Sequence, residues 1–234
     1  MHRPAIPSTI VMVTIGIVLH APCWPEPADD LGAVLDRIDK AGAAFRGMSA
    51  KVHRVSHTAV INEDNLDSGT ILVKRPKPRD LRMLIDITDP DPRAVLFQGR
   101  KLEVYYPKIQ TVQEFDVAGK NRELADQFFL IGFGTSRAEL QATYTLRLVG
   151  PDTVEGQKAD RLELIPKSKE IRQYLTKFEL WISAAGYPIQ QKFYQPGGDY
   201  QLATYSDVMI NPEISETALK LHLPKNVKRE FPQK

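Results

Sequence analysis

The chain has 234 residues, 31 Lys and Arg against 29 Asp and Glu, and one Cys. The near balance of charge argues against a protein built to grip nucleic acid, which needs a strong basic excess. A single Cys excludes an intramolecular disulfide framework and a Cys-cluster metal site, and 42% hydrophobic with 26% charged residues reads as globular rather than disordered.

Arg3 is the only charged residue before Glu26, and Thr9 to Leu19 is an apolar run. A membrane helix needs about 20 apolar residues, so the run is too short to span. A basic start, a short apolar stretch and a small residue after it describe a secretory signal peptide. Residues 1–21 are read as that leader, with Ala21 at the cleavage site and Ala28 as a second candidate. Residues 22–29 read as a Pro-rich lead-in, and residues 30–230 as one domain. Cys23 stands where a lipidated Cys would follow a leader, but His20 and Pro22 fit a lipobox badly. It reads instead as a residue of the leader or of a Pro-rich tether, in a secreted protein.

Asp29 or Asp30 can cap a helix. Leu31, Val34, Leu35, Ile38, Ala41 and Phe45 then recur at helical spacing, and Gly47 is placed as its terminator. After Gly47 the period changes to that of strands. Expected strands cover residues 49–61, 69–75, 81–88, 94–98, 101–106 and 110–117, with Gly99-Arg100 as a hairpin turn. A second series covers residues 144–149, 159–165, 174–182, 189–194, 200–208 and 218–223. Short connections make about eleven strands a mostly antiparallel meander. Between Arg122 and Gln141 lies an apolar insert with Leu124, Phe128, Phe129, Ile131 and Phe133. Ser136-Arg-Ala-Glu139 has the form of a capping box, and Gly132-Phe-Gly-Thr-Ser136 reads as a hinge. The long gaps between prolines, Pro27 to Pro76 and Pro107 to Pro151, hold these two helical segments.

The motif search returns little chemistry. His53 and His57 share a strand face about 13 Å apart, too far for one metal. There is no His-Glu-x-x-His pattern and no Gly-x-Ser-x-Gly elbow. The reading is therefore not an enzyme, with no catalytic residues, no cofactor and no metal. Several strands carry apolar residues of one parity: Ile71 and Val73 with Arg75; Leu81, Met83 and Ile85; Leu102 and Val104; Leu162 and Leu164; Phe178, Leu180 and Ile182. Such a set builds either an ordinary packed core or the wall of a ligand cavity.

An N-terminal amphipathic helix and a first strand are followed by Gly69-Thr-Ile-Leu-Val-Lys-Arg-Pro76, then Gly99-Arg-Lys-Leu-Glu-Val-Tyr-Tyr-Pro107. Next come Phe128-Phe-Leu-Ile131 and a closing Leu219-Lys-Leu-His-Leu-Pro-Lys-Asn-Val227. In order and spacing this series resembles the outer-membrane lipoprotein-sorting, or LolA-like, family over roughly Leu31 to Val227. The resemblance implies an α+β fold: an unclosed, mostly antiparallel half-barrel of about eleven strands, with helices covering its concave face. It implies a periplasmic carrier that receives lipoproteins from an inner-membrane exporter and passes them to an outer-membrane acceptor. It is expected to work as a monomer, without nucleic acid. Acyl chains would lie in a cavity walled by Ile71, Val73, Leu81, Met83, Ile85, Leu102, Val104, Leu162, Leu164, Phe178 and Leu180. Phe128, Phe129, Ile131 and Phe133 would form the lid, and Arg75 would latch it by hydrogen bonds. Where the family has aromatic residues around the Arg-Pro strand, this chain has Leu72, Arg79 and Leu81. Two other roles suit the same fold: a carrier of phospholipid or glycolipid, and an envelope-stress sensor. Such sensors attach a second domain, and none is expected in the few residues after Val227.

Overall fold

A computed structural model describes residues 30–77, 80–117 and 131–232. The leader, Cys23, Arg79, Phe128 and Phe129 lie outside the described residues. Helix α1 spans Leu31–Ala44, and the Asp30 carboxylate accepts from the Ala33 N–H at 2.7 Å. One orphan amide of the first turn is thereby satisfied. The helix ends earlier than the glycine signal implied. Phe45 is already extended, and Gly47 opens the first strand. A side chain at Gly47 would meet the Val73 carbonyl at 2.6 Å, so this glycine serves strand packing rather than helix termination.

Twelve strands form one sheet. The first series is β1 (Gly47–Thr58), β2 (Glu63–Lys77), β3 (Asp80–Asp89), β4 (Arg93–Gln98), β5 (Lys101–Tyr106) and β6 (Thr111–Asp116). The second is β7 (Tyr144–Val154), β8 (Gln157–Pro166), β9 (Lys177–Ser183), β10 (Pro188–Tyr194), β11 (Tyr200–Ile210) and β12 (Lys228–Glu230). Each series is an antiparallel meander, and β1 pairs with β11 to join them. The resulting order, β12-β6-β5-β4-β3-β2-β1-β11-β10-β9-β8-β7, leaves β12 and β7 as edges, so the sheet is unclosed.

Two sequence expectations fail at segment ends. Ala218–Leu223 forms turns and coil, because the Ser215 hydroxyl accepts from the Ala218 N–H at 3.2 Å and folds the chain locally. The last strand is instead β12, which lies parallel to β6. Tyr174 belongs to the turn after a short helix, Lys169–Arg172, and donates its N–H to the Ile171 carbonyl at 2.9 Å. The capping box appears as expected. It opens helix α2 (Arg137–Thr143), where Ser136 and Glu139 satisfy each other's backbone amides.

The face covered by α1 carries two separate apolar clusters. Under α1, Val34, Leu35 and Ile38 pack with Leu162, Leu164, Phe178, Leu180, Ile182 and Ile131. Over the other half of the sheet, Phe45, Met48, Ile71, Val73, Leu81, Met83, Phe97, Phe133 and Tyr205 pack together. The residues joining β6 to β7 include Ile131 in the first cluster and Phe133 in the second. The segment from Ile131 to Ser136 therefore bridges both.

Candidate functional site

The site follows from strand parity. Alternate residues of a strand face opposite sides of a sheet. Val52 and Arg54 of β1, Ile71 of β2, Met83 and Ile85 of β3, and Val95 of β4 therefore face inward together. Gln191 and Phe193 of β10, and Gln201, Ala203 and Tyr205 of β11, complete the wall. Phe133 caps it. Together they enclose a cavity of about 320 Å³, at the lower end of the ~300–1,000 Å³ typical of small-molecule sites.

Arg75 lies on β2, four residues beyond Ile71 and outside the cavity lining. Its guanidinium donates to three backbone carbonyls. Nη1 reaches Gly134 O at 2.7 Å; Nη2 reaches Gly42 O at 2.6 Å and Phe45 O at 2.7 Å; Nε adds a longer bond to Phe45 O at 3.2 Å. Gly42 and Phe45 belong to the end of α1, and Gly134 to the Ile131–Ser136 segment. One side chain thus ties the sheet, the helix end and the Ile131–Ser136 segment. The carbonyls at the end of a helix lack intrahelical partners and carry partial negative charge, so a cation suits them. Burial, with Arg46 nearby, lowers the Arg75 pKa from its usual value; an arginine stays charged regardless. Gly134 has φ +79, and a Cβ there would lie 2.4 Å from Arg75 Nη1. Glycine at this position admits the close approach of the guanidinium.

Aromatic rings and one amide reinforce this closure. Arg75 lies 5.7 Å from the Phe45 ring centre, Phe45 lies 6.3 Å from Phe133, and Phe133 meets Tyr205 edge-on at 5.6 Å. Gln191 Nε2 donates to Ile131 O at 2.5 Å, while Tyr205 Oη donates to Gln191 Oε1 at 2.8 Å. Burial raises the Tyr205 phenol pKa, so it stays a neutral donor.

The predicted site residues separate into two sets. Ile71, Met83 and Ile85 line the cavity with Phe133. Val73 and Leu81 sit beside them in the same cluster, with Leu102 packed against it. Val104 is half-buried opposite Val95. Leu162, Leu164, Phe178 and Leu180 lie instead in the filled cluster under α1, together with Ile131. The histidines sit on the outer face: His53 contacts the Ser68 hydroxyl at 3.1 Å, and His57 contacts Asp64 at 2.7 Å and stacks on Tyr200. Among the described residues no group of His, Cys, Asp and Glu is arranged to hold a metal.

Sequence reasoning missed Val52, Arg54, Val95, Gln191, Phe193, Gln201, Ala203 and Tyr205 as wall residues. Their strands were located, but no apolar alternation marks Gln201, Ala203 and Tyr205. Parity alone was the available signal, and it needed one inward residue as a reference.

No protein-family model matches the sequence, and no curated protein matches it. Solved structures do match in fold. An uncharacterized conserved protein from Thermus thermophilus superposes with a TM-score of 0.52 at 16% identity, over 86% of this chain and 98% of its own. MucB superposes with a TM-score of 0.51 at 17% identity, over 84% of this chain. The chain spans 64% of the length of MucB, less than two thirds. A LolA superfamily protein from Nitrosomonas europaea matches at 16% identity over 81% of this chain and 97% of its own, with a TM-score of 0.40. With its twelve-stranded unclosed sheet and α1 across one face, the chain has an α+β half-barrel fold, which it shares with MucB and the Thermus thermophilus protein.

Proposed function

We propose that the protein is a periplasmic carrier that holds lipid acyl chains between the inner face of the sheet and the lid segment, and moves them toward the outer membrane. The observation that carries this reading is an apolar cavity beside the Arg75 latch: one cation on three carbonyls, Gly42 in α1, Phe45 just after it and Gly134 on the lid segment. A cavity with a hydrogen-bonded cover suits a ligand that must be taken up and then released. Each buried CH₂ stabilises binding by about 0.8 kcal/mol, so a 16-carbon chain offers on the order of 10 kcal/mol gross. Opening the latch offsets part of that, since hydrogen bonds from a charged donor contribute about 1.5–3 kcal/mol each. An intermediate net affinity results, which a carrier needs for hand-over. The proposed cargo is a lipoprotein, received from an inner-membrane exporter and delivered to an outer-membrane acceptor. Carriage of a phospholipid or glycolipid uses the same cavity. No catalytic step is assigned.

The test is to purify the protein from its native envelope and identify bound lipid by mass spectrometry. A triacylated peptide supports lipoprotein carriage. A phospholipid or glycolipid supports the second cargo. Protein that never retains lipid sinks both. The fold shared with MucB, which has been crystallised in complex with MucA, favours one other reading, a sensor that binds a partner protein. Co-purification of a stoichiometric envelope protein, without lipid, would support that role.

A further inference from the structure

The cavity wall is apolar over most of its area, but one end is charged. Arg54 of β1 and Asp67 of β2 stand directly opposite each other. The register shift of β2 against β3 between Ser68 and Gly69 brings Arg93 of β4 to the same point. A side chain at Gly69 would lie 2.0 Å from the Asp86 carbonyl, so the shift depends on glycine there. Arg93 Nη2 donates to Asp67 Oδ2. The side chains are largely withdrawn from solvent: Asp67 is 10% exposed, Arg54 21% and Arg93 22%.

The partners do not balance. Asp67 is committed to Arg93, while Arg54 Nη1 lies 3.9 Å from the same carboxylate oxygen, beyond hydrogen-bond range. Two guanidinium groups thus share one carboxylate. The one hydrogen bond of the Arg54 side chain to the described residues runs from Nη2 to Gln201 Oε1, at 2.9 Å. Arginine has five N–H donors and no acceptor. Gln201 therefore turns its oxygen to Arg54, and its NH₂ group has no acceptor among the described residues. Both residues line the cavity. The other polar wall residues, Gln191 and Tyr205, are bonded to each other and to the lid. Burial lowers the Arg54 pKa, Asp67 opposes this, and Arg93 adds to it. Uncompensated positive charge in a partly desolvated site favours an incoming anion.

We propose that Arg54 and Gln201 bind the anionic head of an amphiphile, a carboxylate or a phosphate, whose chain lies along Ile71 and Met83 toward Phe133. The assignment rests on the acyl-carrier reading above and narrows its cargo. Along β2, Asp67 and Arg75 are eight positions apart, about 26 Å at the rise of a strand. The head site and the latch thus stand far apart along the strand, with Arg75 outside the cavity lining, and the head does not compete for Arg75.

The test uses delipidated protein and the neutral fluorophore N-phenyl-1-naphthylamine as the reporter of cavity occupancy. Palmitate is compared with hexadecanol, and monopalmitoyl lysophosphatidate with monopalmitoylglycerol, as displacing ligands. The expected result is that at least one anionic ligand displaces the probe about tenfold better than its neutral counterpart, the scale of one charge-assisted hydrogen bond. Preference for palmitate alone identifies a carboxylate head; preference for lysophosphatidate alone identifies a phosphate head. Arg54→Gln is expected to abolish the preference, read as the ratio of displacement within each pair of ligands so that any change in probe affinity cancels. Gln201→Leu should reduce it several-fold, which keeps the residue-level claim testable if Arg54→Gln does not fold. Equal displacement within both pairs of ligands overturns the proposal while leaving the carrier reading standing, as does a preference that survives both substitutions. Competition by inorganic phosphate alone would make this a free-anion site and overturn the amphiphile assignment. Wild-type protein that binds neither probe nor lipid overturns the carrier reading and the head site together.

Discussion

Replacing Arg75 by Leu removes one positive charge and its hydrogen bonds to Gly42, Phe45 and Gly134. The consequences separate by location. Gly42 and Phe45 stay beside the sheet through α1, whose Val34, Leu35 and Ile38 remain packed. Their loss affects stability, by about 1–3 kcal/mol once water re-solvates the carbonyls. The bond to Gly134 is different, because it joins the lid segment to everything else. At about 1.5–3 kcal/mol for a charge-assisted bond, its removal shifts the closed-to-open ratio of the empty protein by roughly 10- to 150-fold. If ligand binds the open form, affinity for N-phenyl-1-naphthylamine should tighten, by up to the same factor, and acyl cargo should be released more slowly. Amide hydrogen exchange resolves the same event, with faster exchange over residues 131–136 and little change in β1. Arg75→Lys should fall between the two, since an ammonium cannot reach three carbonyls in the geometry of a guanidinium. Unchanged probe affinity together with unchanged exchange over residues 131–136 would refute the latch.

Three further outcomes are expected. Gly134→Ala puts a Cβ against Arg75 at a position with φ +79, so it should lower stability by about 1–3 kcal/mol in thermal melts and loosen the lid like Arg75→Leu. Leu180→Ala removes a fully buried side chain under α1, outside the cavity. It should cost about 2–5 kcal/mol in denaturant unfolding with little effect on lipid affinity; a large affinity loss would show that the cavity extends beneath α1 when loaded. Glu179 is 2% exposed on the outer face. Burial pushes its pKa up, but hydrogen bonds from Lys177, Arg161 and Tyr194 together outweigh it and leave the pKa below the ordinary value. Its contribution to stability should be complete above the unfolded glutamate pKa, ~4.3, and lost as pH falls through the lower folded value. Denaturation followed against pH should show that loss in wild type, and a smaller one in Glu179→Gln.

Local patterns carried most of the secondary structure. The helical spacing from Leu31 to Ala41 with an Asp cap, the Ser136 capping box and the Gly99-Arg100 turn were all readable, because each depends on residues within a few positions of one another. Alternation was readable too, and it separated inward from outward residues. The family resemblance, rather than any residue pattern, pointed to Arg75. Errors fell where a local signal had a competitor: Gly47 belongs to a strand pressed against Val73, and Ser215 turns a segment that alternation marked as a strand.

Alternation cannot say which inward residues meet. Leu162 and Ile71 have the same sequence character, yet one packs under α1 and the other lines the cavity. That division depends on the order of the twelve strands and on where α1 lies, both set by contacts between residues far apart in the chain. The charged end has the same origin. Arg54, Asp67, Arg93 and Gln201 come from four strands, and only the register of those strands gathers two cations around one carboxylate. The sequence by itself determined the elements and the face each presents. Tertiary structure alone decided what those faces enclose, because a cavity is a property of pairings that no local period records.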